Sequence, residues 1–588
     1  MRVIANPDLI SPRRPATFVQ VLAAAQGLKG QIGGARSSSL LSRSLPTHST
    51  ASFSTMAVDQ APPAPRYRTE NWRANARALG KQDHPKGSSN YTMLQGFEWY
   101  TPGGGVYYEW LESKAKELGD MGITAIWCPP PTKCDTADSV GYSPYDLWDL
   151  GEFDQKGGKA TKWGTKEQLV KCIKALKDNG IAVYIDAVLN HKMGADRAEP
   201  FHATEVDEND RNKEISDLYE IEGWTGFDYP GRLEDKSGKG GEHSKMKWSH
   251  IHFTGVDYDN KNQKNGIFKI QGEGKTWAKA VDKEQGNYDY LMGADIDHSH
   301  PDVRKDLIDW GVWIMQETGA AGFRFDAIKH IDEGFIAEFV QQVRERLDNT
   351  DLFCVGEFWK MALPALEHYL DNFPEQMSLF DAPLHNNFHA AGEAAENYDL
   401  RQIWDGSLVQ SRPVDAVTLV CNHDTQPTQA LEAPVATWFA PLAYSLILLR
   451  GDGYPCVFGG DLWGCKSDPP VDPINQLADL VKARKWFAYG ATRDYWDHPN
   501  CVGWVREGDA EHDGCAVVIC NGTAPGEKRM QLPGGDKHKG EVWVDALGWF
   551  QGEVTIEDDG WATFGCPERS VSIWTKKDAR GKEAFGKQ

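Results

Sequence analysis

The alternation of short apolar runs with amphipathic segments, which begins at Tyr91, constrains this chain more than any other feature. Runs of strand length fall at Thr92–Phe97, Thr124–Cys128, Ala182–Leu189, Gly322–Phe325, Leu352–Gly356, Met377–Phe380, Ala416–Val420 and Tyr454–Phe458. Between them, Thr165–Gly180 places Leu169, Cys172, Ile173 and Leu176 at helical spacing and stops on a glycine. Pro301–Gly319 opens on a first-turn proline and closes on glycine, and Phe335–Leu347 repeats the apolar stripe with Ile336, Phe339, Val340 and Val343. Eight strands with helices between them predict an α/β fold, a (β/α)8 TIM barrel. An open Rossmann-type sheet is the alternative, but no Gly-x-Gly-x-x-Gly turn comes after an early strand.

Two stretches break the alternation. About 100 residues, from His191 to Met292, intervene after the third strand before the alternation resumes, and an insertion of that length in a βα loop is usually functional or a subdomain. After Lys485 the helical pattern gives way to short alternating runs, Cys515–Cys520, Glu541–Val544 and Ser570–Trp574, divided by Gly/Asp turns. These predict a terminal antiparallel β domain. The expected organisation is a leader and linker over 1–88, barrel over 89–191, insertion subdomain over 192–293, barrel again over 294–485, a β-sandwich over 486–577 and a loose polar tail over 578–588.

Composition narrows the function classes. A formal charge of −22 repels nucleic-acid phosphates, so a nucleic-acid partner is not expected, whereas a neutral substrate and a bound cation suit it. The 22 tryptophans and 19 tyrosines lean toward carbohydrate, whose apolar faces stack on flat rings, although large aromatics also fill large cores. No run reaches the roughly 20 apolar residues of a membrane span. Eleven cysteines, an odd number, are scattered without metal-site spacing, and several lie inside apolar runs. That usage points to an intracellular, cytoplasmic protein, expected to be a monomer. Residues 1–56 carry six basic residues against the single acid Asp8 and are serine-rich, as an organellar leader would be; an upstream extension with the working start at Met56 is the alternative, and secretion stands behind both. Asn90-Tyr-Thr92 and Asn521-Gly-Thr523 match the glycosylation acceptor pattern, which matters only in a secreted chain.

Three of the strand-like runs end in an acid: Gly322-Phe-Arg-Phe-Asp326, Val355-Gly-Glu357-Phe-Trp and Val420-Cys-Asn-His-Asp424. A buried carboxylate is costly unless paired or working, so three of them closing three apolar strands look placed for chemistry. Barrel enzymes carry catalytic groups at the C-terminal ends of their strands, which brings these acids to one mouth. Two carboxyls facing one bond is the arrangement of glycoside hydrolysis. Arg324 lies two residues before Asp326 and so shares its side of the strand. Its cation is expected to lower the Asp326 pKa and hold a nucleophile ionised, while the apolar company of Glu357 should keep that acid protonated as the acid/base. Asp424, beside His423, is left to bind sugar hydroxyls and stabilise the transition state.

Asp186-Ala-Val-Leu-Asn190-His191, Gly322 to His330, Glu357-Phe-Trp359 and Asn422-His423-Asp424 resemble, in order and spacing, the four signature regions of the α-amylase family of glycoside hydrolases. The likeness runs from about Asn90 to Lys576. Gly96-Phe-Glu-Trp99-Tyr, Val140 to Leu147, Asn287 to Met292 and Ala294-Asp295-Ile-Asp297 are similar to the liquefying-type bacterial members and their intracellular fungal relatives. The resemblance implies retaining endo-hydrolysis of α-1,4-glucan with the same three acidic roles. It implies that Tyr142 stacks under the sugar beside the scissile bond, that His191, Arg324, His330 and His423 contact that subsite, and that Lys329 and Trp359 serve the leaving-group side. It further implies one Ca²⁺ in the insertion region, held by Asn190, Asp289, Asp295 and the backbone oxygen of His330, an oxygen set that suits a hard cation.

Some positions depart from the family. Thr254 and Ala278 stand where bacterial members carry further metal-binding aspartates, which argues against additional metals, and Cys421 replaces an acid before Asn-His-Asp. A transglycosylase or a maltooligosaccharide-forming exo-enzyme would use the same acids, and a non-catalytic glucan-binding barrel would have no need of them.

Overall fold

The computed structural model describes residues 90–235, 243–373 and 376–585; the leader and linker expected over 1–88 lie outside the described residues. Eight parallel strands close a barrel: β1 (Met93–Gln95), β2 (Ala125–Trp127), β3 (Ala182–Ala187), β4 (Gly322–Phe325), β5 (Phe353–Gly356), β6 (Ser378–Phe380), β7 (Ala416–Leu419) and β8 (Tyr454–Phe458). Each pairs with its sequence neighbours and β8 returns to β1, so every strand is buried on both faces. That is why these strands read as continuous apolar runs rather than as an alternation.

The longer helices of the described residues are α1 (Tyr107–Met121), α2 (Lys166–Asp178), α3 (Pro301–Thr318), α4 (Glu333–Leu347), α5 (Leu363–Asp371), α6 (Ala382–Ala394), α7 (Ala440–Leu449) and α8 (Leu477–Phe487). Local chemistry fixes their ends. Thr165 and Gln168 form a reciprocal capping box at the start of α2. Pro301 occupies the first turn of α3, and Gly319 closes it at φ 68°, a left-handed conformation that glycine adopts without a Cβ clash. Helix α7 is apolar all round and buried, because it lies between the barrel and the C-terminal sheet.

The insertion folds as an antiparallel sheet: Arg197–Asp207, Asp210–Glu214, Tyr219–Gly226, Phe253–Asp259 and Lys264–Ile270. Two short strands, His191–Lys192 and Ala294–Ile296, join this sheet to the barrel and pair with each other, Asp295 opposite His191. The C-terminal residues form a six-stranded sheet, in the order Thr492–Tyr495, Cys501–Arg506, Cys515–Cys520, Ser570–Lys576, Val542–Asp545, Glu553–Thr555, with a second pair, Gly526–Gln531 and Trp561–Cys566. The tail differs from the loose polar segment expected. Ala579 and Phe585 are buried, and Phe585 stacks on Phe487 of α8 with ring centroids 5.4 Å apart, so two apolar residues in a polar stretch are enough to anchor it.

Both glycosylation-type asparagines are structural. Asn90 donates both amide hydrogens to the carbonyls of Arg484 and Ala488. Asn521, fully buried, donates to Ala395 and Tyr398 and thereby pins the C-terminal domain to the loop after α6. Replacing it, Asn521→Ala, takes the side-chain donor from the Tyr398 carbonyl and leaves the Ala395 carbonyl with only the Tyr398 N–H at that seam. A loss of about 1–3 kcal/mol in chemical denaturation is expected; an unchanged midpoint would contradict this clamp.

Candidate active site

The mouth of the barrel is built from strand ends. In parallel register Arg324 on β4 lies beside Asp186 on β3 and Val355 on β5. Arg324 is fully buried, its guanidinium 4.6 Å over the Trp127 ring. Its Nη1 donates to both oxygens of Asp186, at 2.9 and 3.1 Å, and to Asp326 Oδ1 at 2.6 Å; its Nη2 lies 2.9 Å from Glu357 Oε2. One cation therefore grips three acids from three strands. Asp186 also accepts from Trp127 Nε1 and from the Tyr142 hydroxyl, which fixes the angle of the Tyr142 ring.

The turn after β4 sets the distance between the two central acids. Ala327 takes φ 50°, left-handed for a residue with a Cβ, and its N–H donates to Glu357 Oε2 at 3.0 Å. Backbone strain of this kind costs about 1–3 kcal/mol and persists where surrounding structure holds it. Glu357 comes directly after Gly356, where a Cβ would sit 2.2 Å from Ile328 Cδ1, so only glycine lets β5 approach that turn. Glu357 and Asp326 thus face each other across the Arg324 guanidinium.

A cleft of about 510 Å³ exposes Asp326, Glu357 and Asp424 together with Tyr142, His191, Lys329, His330, Trp359 and His423. Arg324 lies beneath this lining, behind the acids rather than at the surface of the cleft. Tyr142 and His423 are stacked, 4.9 Å apart and 9° from parallel, and Trp99 continues the stack at 6.0 Å from Tyr142. The result is an aromatic floor along one wall. Burial keeps all three histidines neutral: His191 is pushed down to about 4, and His330 and His423 well below the usual value. Their partners fix two tautomers. His191 Nε2 faces the Tyr142 carbonyl and His330 Nδ1 the Tyr288 carbonyl, so each of those nitrogens carries the hydrogen. His423 Nδ1 meets the Gln95 amide at 2.9 Å, and its Nε2 lies 3.4 Å from Asp424 Oδ2.

The electrostatics correct one expectation. Arg324 does pull Asp326 down, but burial and the neighbouring charge of Asp186 outweigh it, and Asp326 is pushed up to about 6. Glu357 is raised by burial, as expected, although it too touches Arg324. Burial, with the charges of Glu357 and Asp326, pushes Asp424 well above the carboxylate range. Glu284, Tyr288, Lys360 and Met361 also line the cleft. They come from irregular loops with no periodicity to mark them. Glu284 binds Lys329 at 3.3 Å and Lys360 at 3.4 Å, an ionic rim on the Trp359 side.

The acids expected to hold a cation are adjacent to this cleft, not in it. Asp289 and Asp295 are buried, and each is raised, first by burial and then by nearby carboxylates, Asp297 in the case of Asp289 and Asp289 in the case of Asp295. Asn190 Oδ1 is buried without a hydrogen-bond partner. An orphaned amide oxygen beside two repelling buried carboxylates fits a hard divalent cation. The hydroxyl of Thr254 donates to Asp295, and the Ala278 N–H to Asp289, where further acids would stand in a larger cluster. A second group, His252, His300 and Asp302, lies close enough to share an ion. Both ring Nδ1 atoms there accept backbone N–H bonds, from Ser249 and Asp302, so those lone pairs are already engaged.

The family model of the alpha-amylase catalytic domain matches residues 111–494. The glucan 1,4-alpha-maltohexaosidase of Bacillus sp. (strain 707) is 46% identical over 83% of this chain and 93% of its own. The chain belongs to the α-amylase family. It is thus a glycoside hydrolase, and the cytoplasmic alpha-amylase of Escherichia coli (strain K12) is 44% identical over 82% of this chain and 98% of its own. Among solved structures, an Anoxybacillus alpha-amylase superposes with a TM-score of 0.55 at 18% identity, over 83% of this chain and 98% of that one, a likeness of fold. No described helix of this α-amylase family member is long and apolar enough to cross a membrane.

Proposed function

We propose that this protein hydrolyses internal α-1,4-glucosidic bonds of starch, glycogen and maltooligosaccharides with retention, Asp326 attacking and Glu357 acting as acid and then base. The observation that supports the assignment is that one arginine holds both acids at the same cleft, Asp326 at 2.6 Å and Glu357 at 2.9 Å. A first turnover must begin with the proton on the glutamic acid and the charge on the aspartate. Asp326 then attacks the anomeric carbon as Glu357 protonates the departing glycosidic oxygen. The Glu357 carboxylate next takes a proton from water, which attacks the same carbon and frees Asp326. Asp424 bonds the hydroxyls of the sugar in the cleft and stabilises the oxocarbenium-like state. Tyr142 is its platform, His191, His330 and His423 its polar contacts, and Arg324 the fixed charge behind the acids. Lys329 and Trp359 meet the leaving chain. All of these groups come from one polypeptide, in keeping with a monomer.

Asn190, Asp289, Asp295 and the His330 carbonyl would hold one Ca²⁺, which would supply positive charge between the insertion sheet and the barrel. The cytoplasmic relative and eleven buried free cysteines support an intracellular protein. The maltohexaose-forming relative favours a second reading, an exo-acting enzyme on the same site. Reduced, end-labelled maltodextrin separates the two. Endo-attack predicts a broad early ladder and loss of iodine colour before much reducing sugar appears, whereas one dominant oligosaccharide from the first minutes would favour exo-action.

The charge states set a pH profile. Asp326 must be ionised and is pushed up to about 6, so kcat/KM should fall as pH drops below about 6. Glu357 must be protonated, so activity should fall again at alkaline pH. An acidic limb at the ordinary aspartate value, near 4, would contradict the burial of Asp326.

A further inference from the structure

Three of the eleven cysteines converge in the core between the two C-terminal sheets. Cys501 and Cys520 stand directly opposite one another on antiparallel strands. Cys566 is opposite Gly526 on the adjoining pair. A Cβ placed on Gly526 would lie 2.7 Å from Cys501 Sγ and 3.3 Å from Cys520 Sγ, so both sulfurs point into the space that this glycine leaves open. Opposed residues on antiparallel strands have Cα atoms about 4.5 or 5.5 Å apart. Either value lies inside the roughly 4.4–6.8 Å that a disulfide spans, so the existing register needs no backbone shift to accept a crosslink. Cys501 keeps 7% of its surface exposed and Cys520 2%, so a reagent reaches Cys520 past Cys501, through the space beside Gly526.

The two thiols differ in reactivity. The neighbouring Cys501 thiol pulls the Cys520 thiol down to about 6, while the Cys520 sulfur lies 3.5 Å from the Ala524 carbonyl. Burial pushes Cys128, Cys134, Cys354, Cys456 and Cys515 upward, which leaves them protonated and inert. The position also matters mechanically. Cys520 precedes Asn521, which clamps the loop after α6, and Arg569 pairs with Glu396 on that loop at 2.8 Å.

We propose that Cys501 and Cys520 form a thiol–disulfide modification site whose oxidant is a low-molecular-weight disulfide of the glutathione type. The Cys520 thiolate attacks one sulfur of the oxidant and releases one glutathione thiolate, giving a mixed disulfide. Cys501 then loses its proton to solvent and attacks Cys520 Sγ, and the second glutathione departs. Two protein thiols become one disulfide, and the two electrons leave in two molecules of reduced glutathione. The link joins the strands Cys501–Arg506 and Cys515–Cys520 at their barrel-facing ends.

The test uses the full chain, reduced, then treated with oxidised glutathione, alkylated and peptide-mapped. A Cys501–Cys520 crosslink with the loss of two hydrogen masses is expected. Cys501→Ser should instead retain a glutathione adduct on Cys520, because the resolving thiol is gone. The oxidised protein should melt higher than the reduced one, since the link closes a loop in the unfolded chain. Complete alkylation of both residues after treatment would overturn the proposal. So would a Cys520–Cys566 bond, a lasting adduct on the unsubstituted protein, or a lowered melting temperature.

Discussion

Glu357→Gln is expected to lower kcat on maltodextrin by about 10²–10⁴-fold, the usual contribution of a positioned acid/base, with little change in oligosaccharide affinity. Gln keeps the size of the side chain and can still accept the Ala327 N–H bond that Glu357 Oε2 receives. It cannot give a proton to the leaving oxygen or take one from water, so both halves of the reaction suffer. Asp326→Asn is expected to be more severe still, because it removes the bond-forming oxygen. Substrates with good leaving groups should separate the two. An activated glucosyl fluoride needs no protonation to depart, so Glu357→Gln should recover much of the first step on it while Asp326→Asn recovers none. Equal recovery in both variants would contradict the division of roles.

Removal of calcium is the second large effect. If Ca²⁺ binds the folded protein alone, it stabilises by about 2.7 kcal/mol at a hundredfold excess over Kd and about 4.1 at a thousandfold. Exhaustive chelation should therefore lower the melting temperature, and added calcium should restore it. The size of the loss should depend on pH. Asp289 is pushed up to about 7 and Asp295 is also raised, both above their unfolded values near 3.8. Between those limits the folded apo protein binds more protons than the unfolded chain, so its stability falls as pH rises. Calcium needs the same carboxylates ionised and so binds better as pH rises. The calcium-dependent gain in melting temperature should thus be larger at pH 7 than at pH 5. An unchanged melting temperature after chelation at both values would contradict the cation site.

Much of this architecture is legible in the sequence because burial on both faces of a parallel barrel leaves an unbroken apolar signature at each strand. Gly322–Phe325 and Tyr454–Phe458 coincide with observed strands residue for residue. The acids at the strand ends are legible too, as charges where an apolar run stops. What one strand's alternation cannot reveal is its neighbour. Alternation pairs Arg324 with Asp326 alone, yet parallel register puts Asp186 on one side of it and brings Glu357 to the other. For the same reason the lowered Asp326 pKa expected from Arg324 gives way to a raised one. Gln95, which meets His423 from β1, has no mark beyond being a polar residue in an apolar strand. Glu284 and Lys360 lie in loops whose shape depends on contacts far away in sequence, and nothing local announces them. The packed tail escapes a reading of pattern because Ala579 and Phe585 are too few to form one.

The division of labour between the two central carboxyls can be tested by trapping. Glu357→Gln, incubated with an activated fluorinated glucosyl donor that slows the second step, should accumulate a covalent glucosyl-enzyme, and peptide mapping should place the sugar on Asp326. A sugar found on Asp424, or turnover that proceeds with inversion and leaves no adduct, would contradict the account.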